Sequence, residues 1–149
     1  VSVYKDVSYH FIAPIQSRKL NEITQHFKYI HTISRIKEVD ILKSSDTKCN
    51  FLIQINIDDD PKKSGVKKDE IYSFFEYCLS KGNNPIGIMT IPSIDSQPEI
   101  VFSNMQNINE KLKKNYGYQG ELSMGMSNDY EIALDYGATI VRIGTKLFK

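Results

Sequence analysis

Short apolar runs alternate with amphipathic stretches along the whole chain. The runs are Tyr9-His10-Phe11-Ile12-Ala13, Tyr29-Ile30-His31-Thr32-Ile33, Phe51-Leu52-Ile53-Gln54-Ile55-Asn56-Ile57, Pro85-Ile86-Gly87-Ile88-Met89-Thr90-Ile91, Glu121-Leu122-Ser123-Met124 and Thr139-Ile140-Val141-Arg142-Ile143. Each is rich in β-branched or aromatic residues, which marks a strand. Most lack strict polar alternation, as parallel strands covered on both faces do. Between the runs, apolar residues recur at helical spacing. Ile71, Phe74, Phe75, Cys78 and Leu79 form one stripe. Val101, Met105, Ile108 and Leu112 form another, with Pro98 at its first turn. Ile132, Ala133 and Tyr136 form a third, and Gly137 falls at the C′ position. Shorter helices fit 17–26 and 35–42, and polar stretches at 58–65 and 81–84 separate the units.

Repeated strand–helix units predict an α/β fold with a parallel sheet. Six strands fit either an open doubly wound sheet or an incomplete (β/α)8 TIM-type barrel, and the pattern leaves both open. As a barrel the chain is two strands short. A chain of 149 residues suits a single domain over 1–149. Lys plus Arg (19) nearly balances Asp plus Glu (18), so no strong field gathers nucleic acid or an anionic membrane. No apolar run approaches the roughly 20 residues of a membrane helix. The start, Val1-Ser2-Val3-Tyr4-Lys5-Asp6, lacks the form of a signal peptide. Cys49 and Cys78 read as buried free thiols. The expectation is a cytoplasmic protein with neither nucleic-acid nor membrane partners.

In either architecture, ligands sit where strands run into helices. The stretch Ser123-Met124-Gly125-Met126-Ser127 occupies such a junction. Ser127 or Asn128 is the expected N-cap, and with Asn128 there Glu131 falls at N3, as in a capping box. Gly125 leaves room for an anion to approach the main chain. The next strand ends Arg142-Ile143-Gly144-Thr145, a second small-residue turn with a hydroxyl. Two such turns side by side make a phosphate cup. The competing reading is that Gly125 and Gly144 serve tight turns only. Arg142 interrupts an apolar strand, so it faces either a ligand or a core carboxylate. His10 lies in a strand, where a lone histidine is more often structural. His26 and His31 lack partners at metal-binding spacing, and no metal is expected. Residues 58–65 read as a solvated loop.

At these residues the sequence resembles the pyridoxal-phosphate homeostasis proteins, the YggS-type family with an alanine-racemase-like barrel. Leu122-Ser123-Met124-Gly125-Met126-Ser127-Asn128-Asp129 followed by Val141-Arg142-Ile143-Gly144-Thr145 looks like the family signature. Tyr9 to Lys19 is similar to its W-H-F-I-G-x-L-Q-x-N-K, Gln54 to Gly65 to its V-N-x-x-x-x-x-K-S-G segment, and Gly87 to Pro92 to its G-L-M-T strand. The resemblance implies pyridoxal 5′-phosphate at the strands' C-terminal ends, with Ser123, Met124, Gly125, Ser127, Arg142, Gly144, Thr145 and His10 as the cofactor-binding set. It implies that Ser127, Gly144 and Thr145 hold the phosphate and that Arg142 faces the pyridine nitrogen. The family pattern begins with a strand bearing a Schiff-base lysine, then a unit with G-E-N-Y-V-Q-E; this chain starts directly before the Tyr-His-Phe strand. None of its six strand runs contains an interior lysine. Three expectations follow: a truncated or divergent member that is non-catalytic by itself, a ligand held non-covalently (with phosphate or sulfate able to take its place), and a homodimer through open sheet edges. An amino-acid racemase-like enzyme and a phosphate-binding interaction module are the alternatives.

Overall fold

The computed structural model describes residues 5–44 and 48–148, with the backbone alone at Ser44. Among the described residues seven parallel strands form one sheet: β1 (His10–Phe11), β2 (Tyr29–Ile33), β3 (Asn50–Asn56), β4 (Val66–Lys67), β5 (Gly87–Met89), β6 (Glu121–Met126) and β7 (Ile140–Arg142). Their spatial order is β1-β2-β3-β5-β6-β7, with β4 paired to β3 off this path. Five α-helices lie between them: α1 (Leu20–His26), α2 (Ile36–Ser44), α3 (Ile71–Ser80), α4 (Pro98–Tyr116) and α5 (Tyr130–Asp135). The path follows chain order, as successive right-handed βα units require. It gives the curved, open wall of a barrel and settles the choice in favour of an incomplete TIM-type barrel. The short β4 carries no apolar run and is the element the pattern does not show.

Alternation along the strands separates two faces. Phe51, Ile53, Ile55, Ile88, Leu122 and Met124 join one apolar core with Leu20, Val39, Phe75, Phe102, Met105 and Ala133 from the helices. The stripe residues Ile71, Phe74 and Cys78 of α3 belong to it, as does Val101 of α4, where Pro98 opens the helix. The opposite face carries His10, His31, Gln54, Met89, Ser123 and Arg142. The register fixes this, since Gln54 pairs with Met89 and Met89 with Ser123. The central strands are buried on both sides, as expected; the concave side differs in mixing the apolar Leu52 and Met89 with a row of buried polar side chains.

Two register shifts break the ladder, between Ile30 and Ile33 in β2 and between Ser123 and Met126 in β6. Such irregularities re-aim side chains. The first sits at His31 and Thr32, the second at Met124 and Gly125.

Residues 58–65 are more than a solvated loop. Gly65 has φ +128°, and a Cβ there would lie 2.5 Å from the backbone N of Asn56. Only glycine fits that approach. Asn56 Nδ2 donates to Asp60 O (2.7 Å), and Lys63 Nζ reaches across to donate to Ile91 O (3.1 Å). The segment is packed onto the end of β3 and ties it to the end of β5.

Candidate functional site

The C-terminal ends of β5, β6 and β7 enclose a cavity of about 510 Å³. Ser93, Ser96, Ser127, Asn128, Asp129, Gly144 and Thr145 line it, with Pro92, Ile94, Pro98 and Met126. Ser127, Gly144 and Thr145 therefore meet as the sequence predicts, in neighbouring turns. The Ser127 hydroxyl accepts from Lys146 N (3.3 Å), which pins one turn to the other.

The details depart from expectation. The N-cap of α5 is Asp129, not Ser127 or Asn128, and the cap carries no side-chain bond to the helix. Asp129 Oδ1 instead accepts from Met126 N (2.8 Å), bracing the turn that leads into α5. That places Glu131 at N2, one residue short of the capping-box position. A carboxylate already serves this turn, so Ser127 is left free to face the cavity. Gly125 has a different reason as well. At φ +97° it is buried, and a Cβ would fall 2.6 Å from Ala133 Cβ and 3.0 Å from Tyr130 Cα. The missing side chain makes room for α5, not for an anion. Gly144 has open space around it, so no close approach there demands glycine.

The other expected residues lie apart from this cavity. Met124 packs in the helix-side core. Ser123, Arg142 and His10 stand on the concave face, joined by a residue the sequence reading set aside, His31. Arg142 Nη1 donates to Ser123 Oγ (2.7 Å) and Nη2 to Thr90 O (2.9 Å). Ser123 Oγ meets His31 Nδ1 (2.9 Å), and His31 Nε2 meets His10 Nδ1 (2.8 Å). His10 stacks on Tyr29 at 4.3 Å between ring centroids. His31 lies in a strand run legible from the sequence, but nothing near it in the sequence marks it as a site residue. Only the curvature that brings β2 towards β6 reveals it.

Electrostatics set the states of this row. Burial lowers His31 to about 4, with His10 and Arg142 adding to the effect, so it is neutral at pH 7. Burial also lowers Arg142 to about 10, against the opposing pull of Asp129, and it stays cationic. Among the described residues the ion pairs are Arg35–Glu38 and Lys113–Glu110, so Arg142 is not the carboxylate-paired core arginine of the competing reading. Burial raises Cys49 to about 11 and Cys78 to about 12, which leaves both as unreactive thiols. Among the described residues no group of three or more His, Cys, Asp or Glu gathers to hold a metal, and no helix is long and apolar enough to cross a membrane.

Lys63 reaches the mouth of the concave face, where it lines a cavity of about 180 Å³ with Ile12, Pro14, Thr32, Gln54, Ser64 and Ile91. Lys67 of β4 is exposed and lines a different cavity with Asp59, Asp60 and Asp69.

No family model matches the chain. The pyridoxal phosphate homeostasis protein of Aquifex aeolicus is 36% identical over 152 residues, covering 96% of this chain and 67% of that protein. The chain belongs to the family of pyridoxal phosphate homeostasis proteins. The Escherichia coli K12 member is 35% identical over 150 residues, covering 95% of this chain and 64% of its own length. This chain thus spans about two thirds of the curated relatives it matches. Among solved structures, PipY of Synechococcus elongatus without PLP superposes with a TM-score of 0.87 at 24% identity, covering 98% of this chain and 73% of PipY. PipY with PLP bound gives 0.75 at 22% identity, covering 97% and 71%. The arginine decarboxylase of Paramecium bursaria Chlorella virus gives 0.67 at 20%, covering 91% of this chain and 44% of that one. These likenesses establish the fold.

Proposed function

We propose that this chain binds pyridoxal 5′-phosphate non-covalently and acts as a carrier in cofactor homeostasis, without catalysis of its own. The observation that carries the reading is Arg142. It is a cation on the concave face with no carboxylate at ion-pair distance among the described residues, and its hydrogen bonds to Ser123 Oγ and Thr90 O go to neutral oxygens. Several of its donors are free for a ligand. The family membership and the PLP-bound PipY support the same ligand.

The residues fit the group. In this reading Ser127, Thr145 and the turn at Gly144 take the phosphate, and Arg142 takes the ring nitrogen. Ser123, Gly125 and Met124 shape the wall that carries them, and His10 bounds the far end. Asp129 lines the same cavity and opposes a dianion, which keeps affinity modest; inorganic phosphate or sulfate competes for the seat. When bound, the cofactor supplies an electron sink. An arginine at the ring nitrogen does not give up its proton, and so weakens that sink. Holding the cofactor suits such a site better than using it does.

No lysine projects from the interior of the six strands on the main path, which supports a non-covalent ligand on this stretch of chain. Mixing the chain with pyridoxal phosphate and reducing with borohydride tests this. Saturable binding with no stable adduct is the expected result. An adduct mapped to Lys63, the amine at the mouth, would overturn the non-covalent reading, and absence of binding would favour an interaction module. A homodimer through the β1 and β7 edges, and a cytoplasmic location, belong to the same proposal.

A further inference from the structure

The row on the concave face admits one assignment of its hydrogens. Arg142 can only donate, so Ser123 Oγ accepts from Nη1. Ser123 is fully buried, and its own O–H needs an acceptor. Among the described residues the partner that can supply one is His31 Nδ1, at 2.9 Å. His31 Nδ1 therefore carries no hydrogen, and the neutral ring holds its proton at Nε2. That Nε2–H points at His10 Nδ1, 2.8 Å away, so Nδ1 of His10 is an acceptor too and its proton lies at Nε2.

We infer that Ser123 and His31 are positioning residues for Arg142, linked with His10 in a hydrogen-bond relay that runs one way from the guanidinium to the β1 edge. Reversing it fails at the serine. Its oxygen could accept from both Arg142 and an Nδ1–H on His31, but the buried serine hydroxyl hydrogen would then be stranded without an acceptor. The relay spans β7, β6, β2 and β1, so it also fixes the curvature of the open wall. Thr90 O, at the end of β5, holds the second arm of the same guanidinium. With two of its arms anchored, Arg142 meets a ligand in a preset orientation and with no acid behind it to pass on a proton. The meaning for a ligand rests on the proposed place of the pyridine ring.

Nitrogen-15 spectra of the histidine-labelled chain at neutral pH test the assignment directly. The expected result is an unprotonated Nδ1 and a protonated Nε2 on both His31 and His10. Ser123→Ala, with its fold checked by circular dichroism, should release the fixed tautomer and move both rings' resonances. It should also weaken pyridoxal phosphate about tenfold, the scale of one bond to a charged group, while leaving inorganic phosphate affinity unchanged. A proton found on His31 Nδ1, or rings undisturbed by Ser123→Ala, overturns the relay. If the tautomers are as assigned but pyridoxal phosphate neither binds nor shifts them, the relay stands and the ligand reading of Arg142 falls.

Discussion

Arg142 and His31 show how single residues tune this wall in opposite ways. Arg142 keeps its charge in a partly buried place without a counter-ion, which costs stability unless its hydrogen bonds offset the lost water. Arg142→Met should therefore leave the thermal midpoint unchanged or higher, while abolishing binding of pyridoxal phosphate measured by absorbance titration. Loss of stability with binding intact would show that the residue is structural. His31 keeps itself neutral instead. Its folded value of about 4 lies below the unfolded 6.5, so on acidification the unfolded chain takes the proton first. The stability this group contributes is complete above about pH 6.5 and is lost as pH falls from there to about 4, up to roughly 3 kcal/mol. Burial and the charge of Lys28 lower His10 in the same sense. Glu38 works the other way: burial raises its carboxyl, so the folded state gains on protonating it. Urea unfolding of the wild type and His31→Gln across pH 4 to 7 should show a shallower slope in the variant. Equal slopes would place the titration elsewhere.

At the level of elements, the strands and long helices were legible because apolar residues recur with the right period. β2 falls on 29–33 as read, α4 opens at Pro98, and Gly137 follows α5 with φ +90°. What was not legible depends on curvature or on contacts distant in sequence. Val66 and Lys67 pair with Ile55 and Asn56 although nothing in their neighbourhood reads as a strand. His31 and Ser123 stand 92 residues apart, and their bond exists only because the wall bends. The junction at Gly125 was located correctly but for the wrong reason, since helix packing and ligand approach leave the same glycine in a sequence. Gly125→Ala separates the two. A methyl there collides with Ala133 and adopts a left-handed φ, so stability should fall by about 2–4 kcal/mol in urea unfolding. Adding Ala133→Gly should recover the steric part and leave the backbone strain. Full stability in Gly125→Ala with phosphate binding lost would return the glycine to the ligand.

On the scale of the molecule, the sheet ends without closing. β1 and β7 are the terminal strands of the path, and each keeps one side without a strand partner among the described residues. Exposed apolar side chains flank both ends: Val7 (52%) and Ile12 (47%) beside β1, Leu147 (70%) and Phe148 (89%) after β7. Unpaired backbone next to exposed apolar surface favours strand pairing with another chain. A two-fold partnership is the economical form of it, because one patch then serves twice. Such an interface must bury roughly 1,200–2,000 Å² in total to be stable, more than the two short edge strands supply alone. The apolar flanks therefore have to take part. Sedimentation velocity over a wide concentration range should show a monomer–dimer equilibrium. Ile12→Lys, which puts a charge beside the β1 edge, and the pair Leu147→Ser with Phe148→Ser should each shift it towards monomer without loss of helical circular dichroism. A single monomeric species at all concentrations, with the fold intact, would remove the dimer and leave the mouth of the concave face uncovered. Pyridoxal phosphate would then dissociate at a rate independent of protein concentration, whereas a dimer that covers the mouth should slow its release as the protein is concentrated.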